Sequence, residues 1–172
     1  MLLNTKKYFS VLLIFIFPLV LFGHHNKTIS TEDFKNIWHL DYKEDSSTSS
    51  IFEWTKADEN VYNWTELISA HIFKTPFYKA IYCREWLSLI KNKIPKKLWN
   101  EQIIFEDQNS IFLTWAISPP SPRAENEWAK IIETEKGLFL VRYTVKPNVK
   151  ADQKWIDFVK NALYENNFLT SE

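Results

Sequence analysis

The sequence predicts an α+β domain: a mostly antiparallel sheet of about six strands flanked by helices, preceded by an N-terminal hydrophobic signal or anchor helix. Three observations carry this. Residues 61–73 form a long β-prone run that is apolar in both alternating registers. Three pairs of β-prone runs are each joined by a short polar turn. Two stretches, near 75–92 and 152–166, space their apolar residues by three and four.

The run at 61–73 organises the rest. Trp64, Ile68, Ala70 and Ile72 share one face, and Thr65, Leu67, Ser69, His71 and Phe73 the other, because successive strand side chains point to opposite sides. A strand apolar on both faces suits a sheet covered on each side. Glu66 is the polar exception on its face.

Taken in order, residues 1–23 carry Lys6 and Lys7 and then about fifteen apolar residues. A basic start followed by a short apolar core is the pattern of an export signal, and it is short for a membrane-spanning helix of about twenty residues. Cleavage after Gly23, or retention as a single-pass anchor with the domain outside the cytoplasm, are both open. Residues 24–50 read as an N-terminal extension: a short capped helix from Ser30 through Trp38, then a polar, serine-rich loop over 41–50. The folded domain is expected over residues 51–169.

Residues 51–56 and 63–73 make the first hairpin across Ala57, Asp58, Glu59 and Asn60. Thr75 and Pro76 then offer an N-cap and a first-turn proline, with Tyr78, Tyr82, Trp86 and Leu89 on one helical face up to about Asn92. Residues 103–106 and 110–118 make the second hairpin, ended by Pro119 and Pro120, which cannot continue a ladder. The third joins 127–133 to 138–146 through a turn at Gly137. A last helix from Asp152 to about Asn166 places Trp155, Phe158 or Val159, Ala162 and Leu163 to dock on the sheet.

Composition limits the function. Basic and acidic residues balance at 21 each, which gives no strong electrostatic case for a nucleic-acid partner. Lys91, Lys93, Lys96 and Lys97 read as a solvated helix end. With only two glycines there is no phosphate-cradling Gly-rich loop, and with one cysteine there is no disulfide within the chain and no cysteine-rich zinc site.

Candidate chemistry is sparse. Cys83 with His71 or His39 as base would make a thiol nucleophile, yet Cys83 falls inside a helix, where a bystander thiol is the simpler reading. His24, exposed as a new N-terminus by cleavage, could join His71 or His39 in a copper site. Glu66, Glu85, Glu101 and Asp107 lie at no spacing that fixes a catalytic pair. No catalytic or metal residue and no cofactor is assigned.

Of eight tryptophans, most belong in a core of this size. Trp38 and Trp99, outside the elements that periodicity defines, are the candidate surface anchors. Trp64 and Glu66 from the organising strand complete the candidate binding set.

The segment Asn63-Trp64-Thr65-Glu66, with 127–132 and 137–146, resembles a group of small exported bacterial proteins without an established activity. The element order resembles the PsbP/Mog1-like architecture. That resemblance implies an accessory or binding role and supplies no catalytic residues. The expectation is an exported, periplasmic, secreted or anchored protein that binds an unknown protein or lipid partner through an aromatic surface or cleft, touching membrane through residues 1–23 if they are retained. The alternative is an extracytoplasmic hydrolase or metal-dependent enzyme, which requires at least two of His39, His71, Cys83, Glu66 and Glu85 to converge.

Overall fold

The computed structural model describes residues 29–74, 85, 88, 89, 91–135 and 137–163. The architecture differs from the expected six-stranded, helix-flanked α+β domain. It is dominated by one antiparallel sheet of seven strands, in the order β1-β2-β3-β7-β6-β5-β4. The strands are β1 (Trp38–Asp45), β2 (Ser49–Lys56), β3 (Glu66–Lys74), β4 (Trp99–Glu106), β5 (Ser110–Ile117), β6 (Glu125–Thr134) and β7 (Gly137–Val145). Among the described residues the helices α1 (Thr31–Lys35) and α2 (Gln153–Lys160) accompany them.

The topology is two meanders joined at the middle. β1, β2 and β3 run as consecutive neighbours, and the chain then re-enters at the far edge as β4. From there it returns strand by strand until β7 pairs with β3, from Glu66 opposite Val145 to Lys74 opposite Gly137. Gly137 has φ 135°, a value that favours a residue without a Cβ, and it sits where the β6–β7 turn was expected.

β1 is a strand where the sequence pattern predicts an N-terminal extension and a polar loop. Its outer residues Asp41, Lys43, Glu44 and Asp45 are charged because it is an edge, where charge deters pairing with another chain. The serines that suggested a loop form the β1–β2 turn: the Ser46 hydroxyl accepts from the Thr48 and Ser49 amides at 3.2 and 3.0 Å. The sheet therefore starts at Trp38, ahead of the expected boundary at residue 51.

The three expected hairpins are present as β2–β3, β4–β5 and β6–β7. β3 begins at Glu66, so Trp64 precedes it. β5 ends at Ile117, before the two prolines. Of the helix expected over 75–92, Glu85, Ser88, Leu89 and Lys91 are helical, and the rest lies outside the described residues. The signal or anchor segment lies outside them too. Among the described residues no helix is long and apolar enough to cross a membrane.

Alternation divides the core by face. On the first face Trp54, Ile68, Ala70, Val141, Tyr143 and Val145 pack under Phe34 of α1 and Trp155, Phe158 and Val159 of α2. Asp152 caps α2 by accepting from the Lys154 amide at 2.8 Å. On the second face Leu113, Trp115, Ala129, Ile131, Leu138 and Leu140 form a smaller cluster.

Candidate functional site

The second face carries a polar centre in the middle of the sheet. Ser69 on β3, Arg142 on β7 and Ala129 on β6 lie in one cross-strand row, and the next row places Thr144 opposite Glu127. Apolar residues surround these positions, so Arg142 and Glu127 interrupt two apolar alternations: Leu138, Leu140, Arg142 on β7 and Glu127, Ala129, Ile131 on β6.

Arg142 is held from three sides. Its Nε donates to Ser69 Oγ at 2.9 Å, and its Nη2 lies 3.2 Å from His71 Nε2. A guanidinium can only donate, so Nε2 accepts and the His71 proton sits on Nδ1. Burial, and then the neighbouring guanidinium, lower the His71 pKa from 6.5 to about 3, which keeps the imidazole neutral as that hydrogen bond requires.

Glu127 faces Arg142 across 3.6 Å and accepts the Thr144 hydroxyl at 3.1 Å, both at Oε2. Its Oε1 is buried without a hydrogen-bond partner. With the residue 1% exposed, burial outweighs the attraction of Arg142 and pushes the pKa up to about 8. At neutral pH this carboxyl mostly keeps its proton. The same burial that favours the protonated form weakens the 3.6 Å ion pair with Arg142.

The Arg142 side chain is 20% exposed, against 1% for that of Glu127. Two half-buried carboxyls lie on the same face: Glu53, opposite Ser69 on β2, and Glu125, two residues before Glu127 on β6. Burial raises both pKa values, and Arg142 opposes the shift in each. The centre is thus a solvent-reachable cation with carboxyls around it and a neutral imidazole beneath one edge.

The residues expected to bind do not come together. Trp38, expected at the surface, is 2% exposed and packs its ring 5.3 Å from Trp155 and 6.4 Å from Tyr143. Glu66 is buried on the first face, where it accepts from Lys56 Nζ and, at 2.5 Å, from the Tyr143 hydroxyl. That hydroxyl also accepts the Asp152 amide at 3.2 Å. Glu66 therefore ties β2, β3 and β7 together beneath the start of α2. Tyr143→Phe is expected to cost about 1–3 kcal/mol in urea unfolding, because it leaves a buried carboxylate oxygen and an amide unpaired.

Trp64 is half-buried, with Lys146 Nζ 3.7 Å from its ring centroid, a cation–π contact next to the organising strand. Trp99 is half-buried on the edge strand β4. It stacks on Trp115 at 5.3 Å and donates through Nε1 to Glu101 at 2.8 Å, while Lys91 ion-pairs with the other oxygen of Glu101 at 2.6 Å.

Among the described residues the enzymatic set does not assemble either. His71 lies on the second face and Glu66 on the first. His39 is on β1, with Nε2 3.2 Å from the Thr55 hydroxyl, and Glu85 is exposed. Cys83 and His24 lie outside the described residues. Among the described residues no group of three or more His, Cys, Asp and Glu is placed to hold a metal ion.

Arg142, Ser69 and Glu127 were not singled out from the sequence. For Arg142 and Glu127 the signal is a charged residue at every-second-position spacing within an apolar strand face, which marks a buried charge before any partner is known; Ser69 carries no such signal. The chain matches no protein-family model, no curated protein and no solved structure.

Proposed function

We propose that the protein is an exported, non-enzymatic binding or accessory protein of the cell envelope or extracellular space, and that its partner engages the Arg142 face of the sheet. The observation that carries this is the contrast within the polar centre. The carboxyl with the most perturbed pKa, Glu127, is sealed from solvent, so it is out of reach of a substrate as a general acid or base. The guanidinium beside it is partly exposed, with 20% of its side chain open to solvent. That combination favours recognition over catalysis.

The basic and apolar N-terminal sequence supports export.

The surrounding charge narrows the partner's chemistry. A purely anionic group meets repulsion from Glu53 and Glu125 as it approaches Arg142. A group bringing an anion to the guanidinium and a cation to one of those carboxylates satisfies both. A zwitterionic small molecule or a mixed-charge peptide end has that form.

Thermal-shift titration of the full chain with amino acids and dipeptides, beside their singly charged amidated or acylated counterparts, tests this. Zwitterions are expected to raise Tm, with the shift lost in Arg142→Gln and reduced in Glu53→Gln. Equal shifts from the singly charged anions, or shifts that survive Arg142→Gln, contradict the assignment.

A further inference from the structure

We propose that β4 is a self-pairing edge through which two copies of this chain form a two-fold dimer with a continuous sheet. This dimer is independent of the Arg142 face, and the two sheet edges differ in a way that favours it. β1 is guarded along its length by Asp41, Lys43, Glu44 and Asp45, and by a register shift between Leu40 and Tyr42. The adjacent loop also lies against it, with the Val61 amide donating to Asp41 at 2.7 Å. Charge and bulging of this kind are how proteins deter edge-to-edge association.

β4 is built differently. Among the described residues it pairs only with β5 and ends the sheet. It exposes Ile104 and Phe105 at 48% and 50%, beside the exposed amide side chains of Asn100 and Gln102. Its one charged residue before the end, Glu101, is already occupied by Lys91 and Trp99. A register shift does occur between Ile103 and Phe105, but pairing with β5 is regular from Trp99 to Ile103, which leaves five consecutive residues of even strand.

The charges at the two ends of β4 choose the occupant. The exposed Lys96 and Lys97 precede the strand, and the exposed Glu106 and Asp107 close it. Two copies laid antiparallel about a two-fold axis near Gln102 bring the basic end of each beside the acidic end of the other, at both ends of the interface. Such self-complementarity is what an isologous contact requires. A parallel arrangement would set like charges together and gain nothing from them. Backbone pairing across the axis would then join two seven-stranded sheets, with Ile104 and Phe105 buried between the copies.

Sedimentation equilibrium of the full chain tests the proposal. It is expected to show a dimer, with Ile104→Lys/Phe105→Lys weakening association about 100-fold while far-UV circular dichroism is unchanged. Lys96→Glu/Lys97→Glu and Glu106→Lys, each weakened alone, are expected to recover a dimer when mixed, because both end contacts are then complementary again. A monomer at all concentrations overturns the proposal. So does a dimer indifferent to these changes, since association through any other segment would survive them.

Discussion

Unfolding measured against pH is expected to show a stability plateau between about pH 4.5 and 6.5, with losses on both sides. Two buried groups set these limits in opposite directions. Glu127 has a folded pKa near 8 against 4.5 in the unfolded chain, so between those values the folded state holds a proton that the unfolded state has released. Stability then falls as pH rises, by about 1.4 kcal/mol per unit. His71 has a folded pKa near 3 against 6.5, so between those values the unfolded state binds the extra proton, and stability falls as pH drops. Where the ranges overlap the slopes cancel.

Glu53 and Glu125, whose pKa values burial also raises, act in the same direction as Glu127, which sets the alkaline limb. Glu127→Gln is expected to remove most of that limb and to stabilise the protein near pH 8 by an amount on the order of 4 kcal/mol. His71→Gln, which keeps an acceptor for Arg142, is expected to remove the acid limb. Urea titrations at half-unit intervals from pH 3 to 9 would resolve both. A single maximum near pH 8 would mean that Glu127 is ionised in the fold.

Trp38→Ala is expected to destabilise the protein by about 3–5 kcal/mol, the usual cost of deleting a fully buried large aromatic. The ring fills the space between Phe34 of α1, Trp155 of α2 and Tyr143 of β7, with centroid distances of 6.4, 5.3 and 6.4 Å. Its removal should loosen β1 and α1 first, visible as faster amide exchange at Leu40 and Phe34 than at Val141. Trp38→Phe is expected to cost much less than Ala, because the indole Nε1 is buried without a hydrogen-bond partner and its loss relieves an unmet donor. Denaturant midpoints of the three proteins give both comparisons. A surface anchor, as the sequence suggested for Trp38, would instead change stability by no more than about 0.5 kcal/mol.

The parts of the fold that were legible in the sequence are those whose apolar pattern is redundant. β3 and β7 are apolar in both registers because both of their faces are covered, and Gly137 marks a turn that needs a positive φ. β1 was illegible for the opposite reason. Its inward residues Trp38 and Leu40 are only two, and the edge beyond them is charged to prevent pairing, so the segment has a loop's composition while following a strand's path. The seventh strand follows from that misreading, and among the described residues α1 and α2 are short.

The polar centre was hidden differently. Ser69, His71, Glu127 and Arg142 come from three strands, and the nearest sequence separation between β3 and the other two is more than fifty residues. Only the register brings them into adjacent rows. His71 was noticed as a base or metal ligand because histidine invites those roles. Its neutral form and its place as an acceptor for Arg142 depend on burial, which composition does not report.

The reading of Arg142 as a free recognition group rests on the protonation of Glu127. Carbon-detected NMR of the Glu127 side-chain carboxyl, assigned by comparison with Glu127→Gln and followed from pH 4 to 10, measures it directly. The account predicts a protonated carboxyl at pH 6 and a midpoint near 8. A midpoint near the ordinary 4.5 would mean a formed ion pair with Arg142, a guanidinium already neutralised, and no unspent charge on this face to hold a partner.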